Sequence, residues 1–82
     1  MYNYYSTVDN ITVTFNNTQE EEVPVVYVRF DRPCEDGLDF AKYKIPQLKL
    51  VMSNGFCDSE LLGFEQYLKL HMSYILKIVE EQ

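Results

Sequence analysis

The chain is poor in the residues that carry most catalytic and metal chemistry. Among its 82 residues it has one histidine, His71, and two cysteines, Cys34 and Cys57. His71 has only Glu65 and Lys69 near it, at ordinary helical spacings, so no nucleophile–base pair is available for acid–base or covalent catalysis. A zinc site made from Cys34, Cys57 and His71 would lack a fourth ligand and shows no CxxC or HxxxH spacing. No enzymatic activity, metal or cofactor is therefore expected, and His71 reads as a partly buried helix residue. The two cysteines read as free thiols in a reducing compartment. Glu35 and Asp36 oppose thiolate formation at Cys34, and Cys57 reads as a hydrophobic staple on Leu62.

Long apolar runs are also missing. None approaches the roughly 18 residues of a membrane span, and "MYNYYSTVDN" has neither a basic nor an apolar leader segment. The expectation is a soluble, cytoplasmic protein. Glycine and proline are scarce, three of each, and no repeat or low-complexity segment occurs.

Cations are few: seven against thirteen acids, a net charge of −6. Residues 1–40 hold eight acids and two bases, so all of the excess lies there, while residues 41–82 hold five of each. A chain so charged lacks the positive surface that releases counterions from phosphate, which disfavours nucleic acid and anionic membranes as direct partners. A basic protein is the compatible partner.

What is present is a globular composition, 46% apolar with seven tyrosines and five phenylalanines, enough for one domain of modest stability. Residues 1–10 read as an N-terminal arm. "ITVTF" alternates, with Ile11, Val13 and Phe15 on one face, as a half-buried strand does. "NNTQ" reads as a turn. "VVYVRF" then places Val26, Val28 and Phe30 opposite Val25, Tyr27 and Arg29, with Pro24 at the strand's start. "DRPCEDG" reads as a second turn, and "LDFAKYKI" as a strand with Ala41, Tyr43 and Ile45 on one face. "QLKLVM" reads either as a short fourth strand or as a helical turn. Asp58 is a suitable N-cap, and Leu61, Phe64, Leu68, His71 or Met72, Ile75 and Val79 recur at helical spacing. A helix over 58–81 follows, either straight or kinked near 71–73. The predicted fold is α+β: a three- or four-stranded antiparallel β-meander over 11–52, then an amphipathic helix on one face.

The candidate contact residues are acids and tyrosines. Glu20, Glu21 and Glu22 form one acidic cluster, and Asp31, Glu35, Asp36 and Asp39 a second. With strands of about six residues the clusters fall at opposite ends of the meander, ~20 Å apart at 3.3 Å per residue. Such a display resembles a run of backbone phosphates and suits a basic cleft. Tyr2, Tyr4 and Tyr5 pack on the sheet or form a contact patch, and Tyr27 joins them as an interface-type aromatic.

From Val26 onward, the strand, the turn and "LDFAKYKIPQLKLVMSNGFCDSELLGFEQYLKLHMSYILKI" resemble a family of small bacterial domains of unknown function from mobile elements and toxin–antitoxin neighbourhoods. The likeness rests on the strand, a "GF" before an acid-capped helix and a closing apolar helical stretch. Where that family carries a His-x-His, this chain has Val26-Tyr27-Val28, so no role of those histidines carries over. In being small, acidic, tyrosine-rich and catalytically empty, the chain also resembles phage anti-CRISPR proteins. These likenesses imply an inhibitor of a basic nucleic-acid-binding protein. Homodimerisation through the helix face or a strand edge is the second expectation.

Overall fold

Strict alternation in three segments builds a sheet, and a helix with one apolar stripe covers one side of it. The computed structural model describes residues 2–20 and 23–81, with side chains at all of these except 19, 20, 23 and 24. Five strands, β1 (Asn3–Val8), β2 (Ile11–Glu20), β3 (Val23–Cys34), β4 (Gly37–Ile45) and β5 (Lys49–Asn54), precede one helix, α1 (Asp58–Glu81). The strands form a single sheet in the order β1-β2-β3-β4-β5, every pairing antiparallel. The α+β class is as expected, with more strands than the sequence suggested. No helix among the described residues is long and apolar enough to cross a membrane.

The first additional strand comes from the expected arm. Asp9 and Asn10 both adopt positive φ, 49° and 66°, which short polar side chains tolerate and a two-residue hairpin turn requires. Residues 3–8 therefore fold back on β2. Their periodicity was masked by a bulge between Tyr4 and Ser6, which admits one extra residue and turns Tyr5 inward.

The turns are tighter than expected. "NNTQ" is strand, with Asn16 to Gln19 paired against Tyr27 to Pro24. "DRPC" is likewise strand and only residues 35–36 turn, because Cys34 pairs directly with Gly37. Gly37 meets the backbone demand after that turn with φ 137°. β3 thus runs for 12 residues. "QLKLVM" resolves as the turn after Ile45 followed by β5. A bulge at Val51 breaks its alternation, so Leu50 pairs with inward Tyr43 whereas Met52 pairs with outward Lys42.

The inward faces of β2, β3 and β4 meet the helix at Phe64, Leu68 and Ile75. Phe30 sits at the centre. It stacks on Phe64 at 4.3 Å and meets Tyr43 and Tyr67 edge-on at 5.9 and 5.8 Å, geometries that aromatic quadrupoles favour. Tyr43 is fully buried and donates its hydroxyl to the Leu61 carbonyl at 3.1 Å. Burial pushes its ionisation up to about 12.

The helix is continuous over 24 residues, without a break at 71–73, and is about 36 Å long at 1.5 Å per residue. Its length matches that of β3, about 36 Å at 3.3 Å per step, and its buried residues run from Phe64 to Ile75. Its N-cap is Cys57, not Asp58. The Cys57 carbonyl accepts the first helical bond from the Leu61 amide at 3.0 Å. Glu60 Oε1 accepts the Cys57 amide at 3.1 Å, the reciprocal half of a capping box. The staple is absent, since Cys57 is exposed and Leu62 is 56% exposed.

Candidate binding surfaces

The acidic residues do not gather into one site. Glu20 closes β2 beside the hairpin end, and its side chain, with Glu21 and Glu22, lies outside the described residues. Glu35 and Asp36 form the β3–β4 turn at the other end of β3. Twelve-residue β3 sets those ends about 36 Å apart, not the ~20 Å that six-residue strands imply.

The second cluster is split by strand alternation. Asp31 points to the open face and accepts Arg29 Nε at 2.7 Å. Asp39 lies on the opposite side and accepts Arg32 Nε and Nη2 at 3.1 and 2.9 Å. Arg32 also donates Nη1 to Glu60 at 2.6 Å and lies 4.6 Å from the Phe56 ring centroid. This one guanidinium ties the β3–β4 end to the first turn of α1. Its hydrogen bonds to Glu60 and Asp39 raise its ionisation. The Cys57 amide, and then Arg32, hold the Glu60 carboxyl below its usual range. Asp31 and Asp39 are thus neutralised in place, leaving Glu35 and Asp36 as the exposed acids of that cluster.

Helix acids extend both ends, a contribution invisible in the linear charge count. The helix starts where Glu60 meets Arg32 and runs past Phe30 toward Tyr5 and Phe15. Asp58 therefore joins Asp9, Glu35 and Asp36 at one end, and Glu80 and Glu81 close the helix toward the other. The last turn of α1 carries no cation, so its terminal dipole adds to the negative potential there.

The tyrosines have separate fates. Tyr2 is half-buried. Tyr4 is 66% exposed and its hydroxyl lies 3.0 Å from Thr7 Oγ1. Tyr5 faces inward, its hydroxyl 2.9 Å from His71 Nδ1 and its ring edge-on to Phe15 and His71. It serves the core and offers a partner little surface. His71 also stacks on Tyr67 at 4.1 Å, so the sole histidine is part of an inter-element aromatic stack. Tyr27 points outward beneath Lys42, whose Nζ is 4.5 Å from the ring centroid.

An apolar pocket of about 220 Å³ opens between the β1–β2 corner and the first helical turns, floored by Val13, Phe30 and Phe64. It is below the roughly 300–1,000 Å³ of typical small-molecule sites. Tyr67 lines it, and the Tyr67 hydroxyl is buried without a hydrogen-bond partner; nearby Ser6 falls outside bonding geometry. Glu60, also lining it, is committed to Arg32 and the Cys57 amide. No group of three or more metal-binding side chains occurs among the described residues.

Two surfaces were missed in the sequence. Edge strand β5 leaves Leu50, Val51 and Met52 between 38% and 52% exposed, a run an open edge normally avoids. The sheet face opposite the helix gathers cations from β3, β4 and β5, which becomes visible only when cross-strand register is known. No protein family, curated protein or solved structure matches the chain.

Proposed function

We propose that this protein is a small non-enzymatic binding module that docks on a basic protein through its acidic ends, as an inhibitor that mimics nucleic acid would. The observation that carries the reading is the placement of the unpaired acids. Asp9, Glu35, Asp36 and Asp58 lie at one end of a body 38 Å long, and Glu80 and Glu81 toward the other, the end at which β2 closes. Charges so spaced steer an encounter and set the register on a partner's basic cleft. A nuclease or other nucleic-acid-binding protein has such a cleft.

The test is affinity for, and inhibition of, a panel of basic nucleases across a salt series. Binding should weaken steeply with salt. A Glu35→Gln/Asp36→Asn variant and a Glu80→Gln/Glu81→Gln variant should each lose part of it, and the combined variant nearly all. Affinity that is flat with salt, or unchanged in the combined variant, overturns the reading.

A homodimer is favoured by one separate observation, the apolar open edge of β5. Antiparallel pairing of two β5 edges would bury Leu50, Val51 and Met52. It would also bring the Lys44 and Lys49 end of one copy against the Asp36 and Asp58 end of the other.

A further inference from the structure

Net charge describes the chain, but a ligand meets a face. On the open side of the sheet, alternation turns Tyr27 and Arg29 of β3 outward, Phe40, Lys42 and Lys44 of β4 outward, and Lys49 of β5 outward beside Lys44. Four of the seven cations therefore share one surface, on which Asp31 is the one carboxylate among the described side chains. The described charged side chains of this face, four cations and Asp31, sum to +3. No helix among the described residues covers it.

The arrangement costs stability. Arg29 lies directly opposite Lys42, and Lys44 directly opposite Lys49; such pairs hold their Cβ atoms about 5 Å apart, and like charges there repel. Asp31 answers Arg29 alone, and among the described residues Lys42, Lys44 and Lys49 have no ion-pair partner. Two aromatic rings lie between these cations. Lys42 stands over the Tyr27 ring and Arg29 over the Phe40 ring at 4.5 and 4.9 Å, so each ring is capped by a cation that a phosphate would draw off as a base takes its place. An acidic peptide would use the charges and leave the rings idle. A duplex presents grooves that a flat sheet does not enter. Unpaired bases stack on rings while their phosphates meet adjacent cations, which is the chemistry of single-strand platforms on open sheets.

We infer that the open sheet face binds a short single-stranded nucleic acid, with Tyr27 and Phe40 taking bases and Arg29, Lys42, Lys44 and Lys49 taking phosphates. The inference concerns a different face from the acidic ends and holds or fails independently of them.

Fluorescence anisotropy with labelled dodecamers of deoxythymidine and uridine tests it, with the matching duplex and poly-glutamate as competitors. Binding in the range of sequence-independent contacts, Kd on the order of 10⁻⁴–10⁻⁶ M, is expected. The slope of log K against log salt should be roughly −2 to −3 for three to four phosphates at about −0.7 each. Lys44→Gln/Lys49→Gln should weaken binding about tenfold and reduce that slope by roughly 1.4. Tyr27→Leu should weaken it about tenfold with the slope unchanged. Lys69→Gln/Lys77→Gln removes the same charge from exposed helix positions and should change binding less than twofold. Far-UV circular dichroism confirms that each variant is folded. Absence of binding at low salt overturns the inference, as does an equal loss in the helix pair. Poly-glutamate competing as well as the oligonucleotide assigns the face to an acidic protein instead, and tighter duplex binding rejects the stacking geometry.

Discussion

Leu68 and Leu70 are two residues apart on the same helix and differ completely in surroundings, which makes them a direct test of how α1 is docked. Leu68 is fully buried among the sheet's inward side chains, whereas Leu70 is 75% exposed. Leu68→Ala removes apolar atoms from a packed core and leaves a cavity, a change that costs about 2–5 kcal/mol. A chain of this length has a total stability of about 4–12 kcal/mol, so that one substitution consumes a large share of it. At about 4–8 °C per kcal/mol for a domain of this size, a loss near 3 kcal/mol lowers the melting temperature by roughly 12–24 °C. Leu70→Ala creates no cavity and replaces leucine by the best helix former, so its effect stays within about 0.5 kcal/mol. Urea unfolding followed by circular dichroism reads both, and the denaturant slopes must agree for the difference to be one of stability. Comparable losses in the two variants would refute the docking, because they would mean that the helix is rotated about its axis relative to the sheet.

Two further outcomes follow from local geometry. Gly55 has φ 93°, and a Cβ there would overlap the Asp39 carboxylate that Arg32 holds. Gly55→Ala should therefore destabilise by about 1–3 kcal/mol, and the loss should shrink in an Asp39→Ala background; thermal melts of the double-mutant cycle measure this. The second concerns alkali. Burial raises the ionisation of Tyr5, Tyr67 and Tyr43, the last to about 12. Because the folded values lie above the unfolded 10, the fold favours the neutral phenols. Their contribution is complete below pH 10 and is lost as pH rises through about 12. Melting temperature should fall across that window while phenolate absorbance shows a late wave; a single wave at pH 10 in folded protein would contradict it.

The fold was legible wherever the hydrophobic pattern was unbroken. Val13, Phe15, Val26, Val28, Phe30, Ala41, Tyr43 and Ile45 alternate without interruption, and all of them form the core. So do Phe64, Leu68 and Ile75 at helical spacing. Legibility ended at the bulges. One extra residue at Tyr5 turned a recognisable strand into an apparent arm, and another at Val51 left "QLKLVM" ambiguous. A bulge shifts the phase of every side chain beyond it, so period-two reasoning fails there even when residue types are right. Turn length was misjudged for another reason. Asparagines and prolines in "NNTQ" and "DRPC" are turn formers by propensity, but pairing with the long neighbouring strands outweighed that preference.

Charge illustrates the harder limit, because it sums along the chain in one way and across space in another. Residues 41–82 are neutral in sequence, yet that neutrality is a separation. Lys42, Lys44 and Lys49 stand on the open sheet face, while Asp58, Glu60, Glu80 and Glu81 stand at the helix ends. The acid-rich first half likewise gives Arg29 to the face and spends Asp31 and Asp39 on ion pairs. A partner approaching from beyond the Debye length, about 10 Å at 0.1 M salt, meets the −6 of the whole. One already in contact meets either a pole or a face of the opposite sign. A polyanion bound as inferred would therefore be slowed on approach and held at the sheet, so its binding would be expressed in lifetime more than in association rate. A basic protein docking as proposed would be drawn in from a distance and held at the ends, so its binding would be expressed first in association rate. Measured on and off rates separate these cases where net charge cannot.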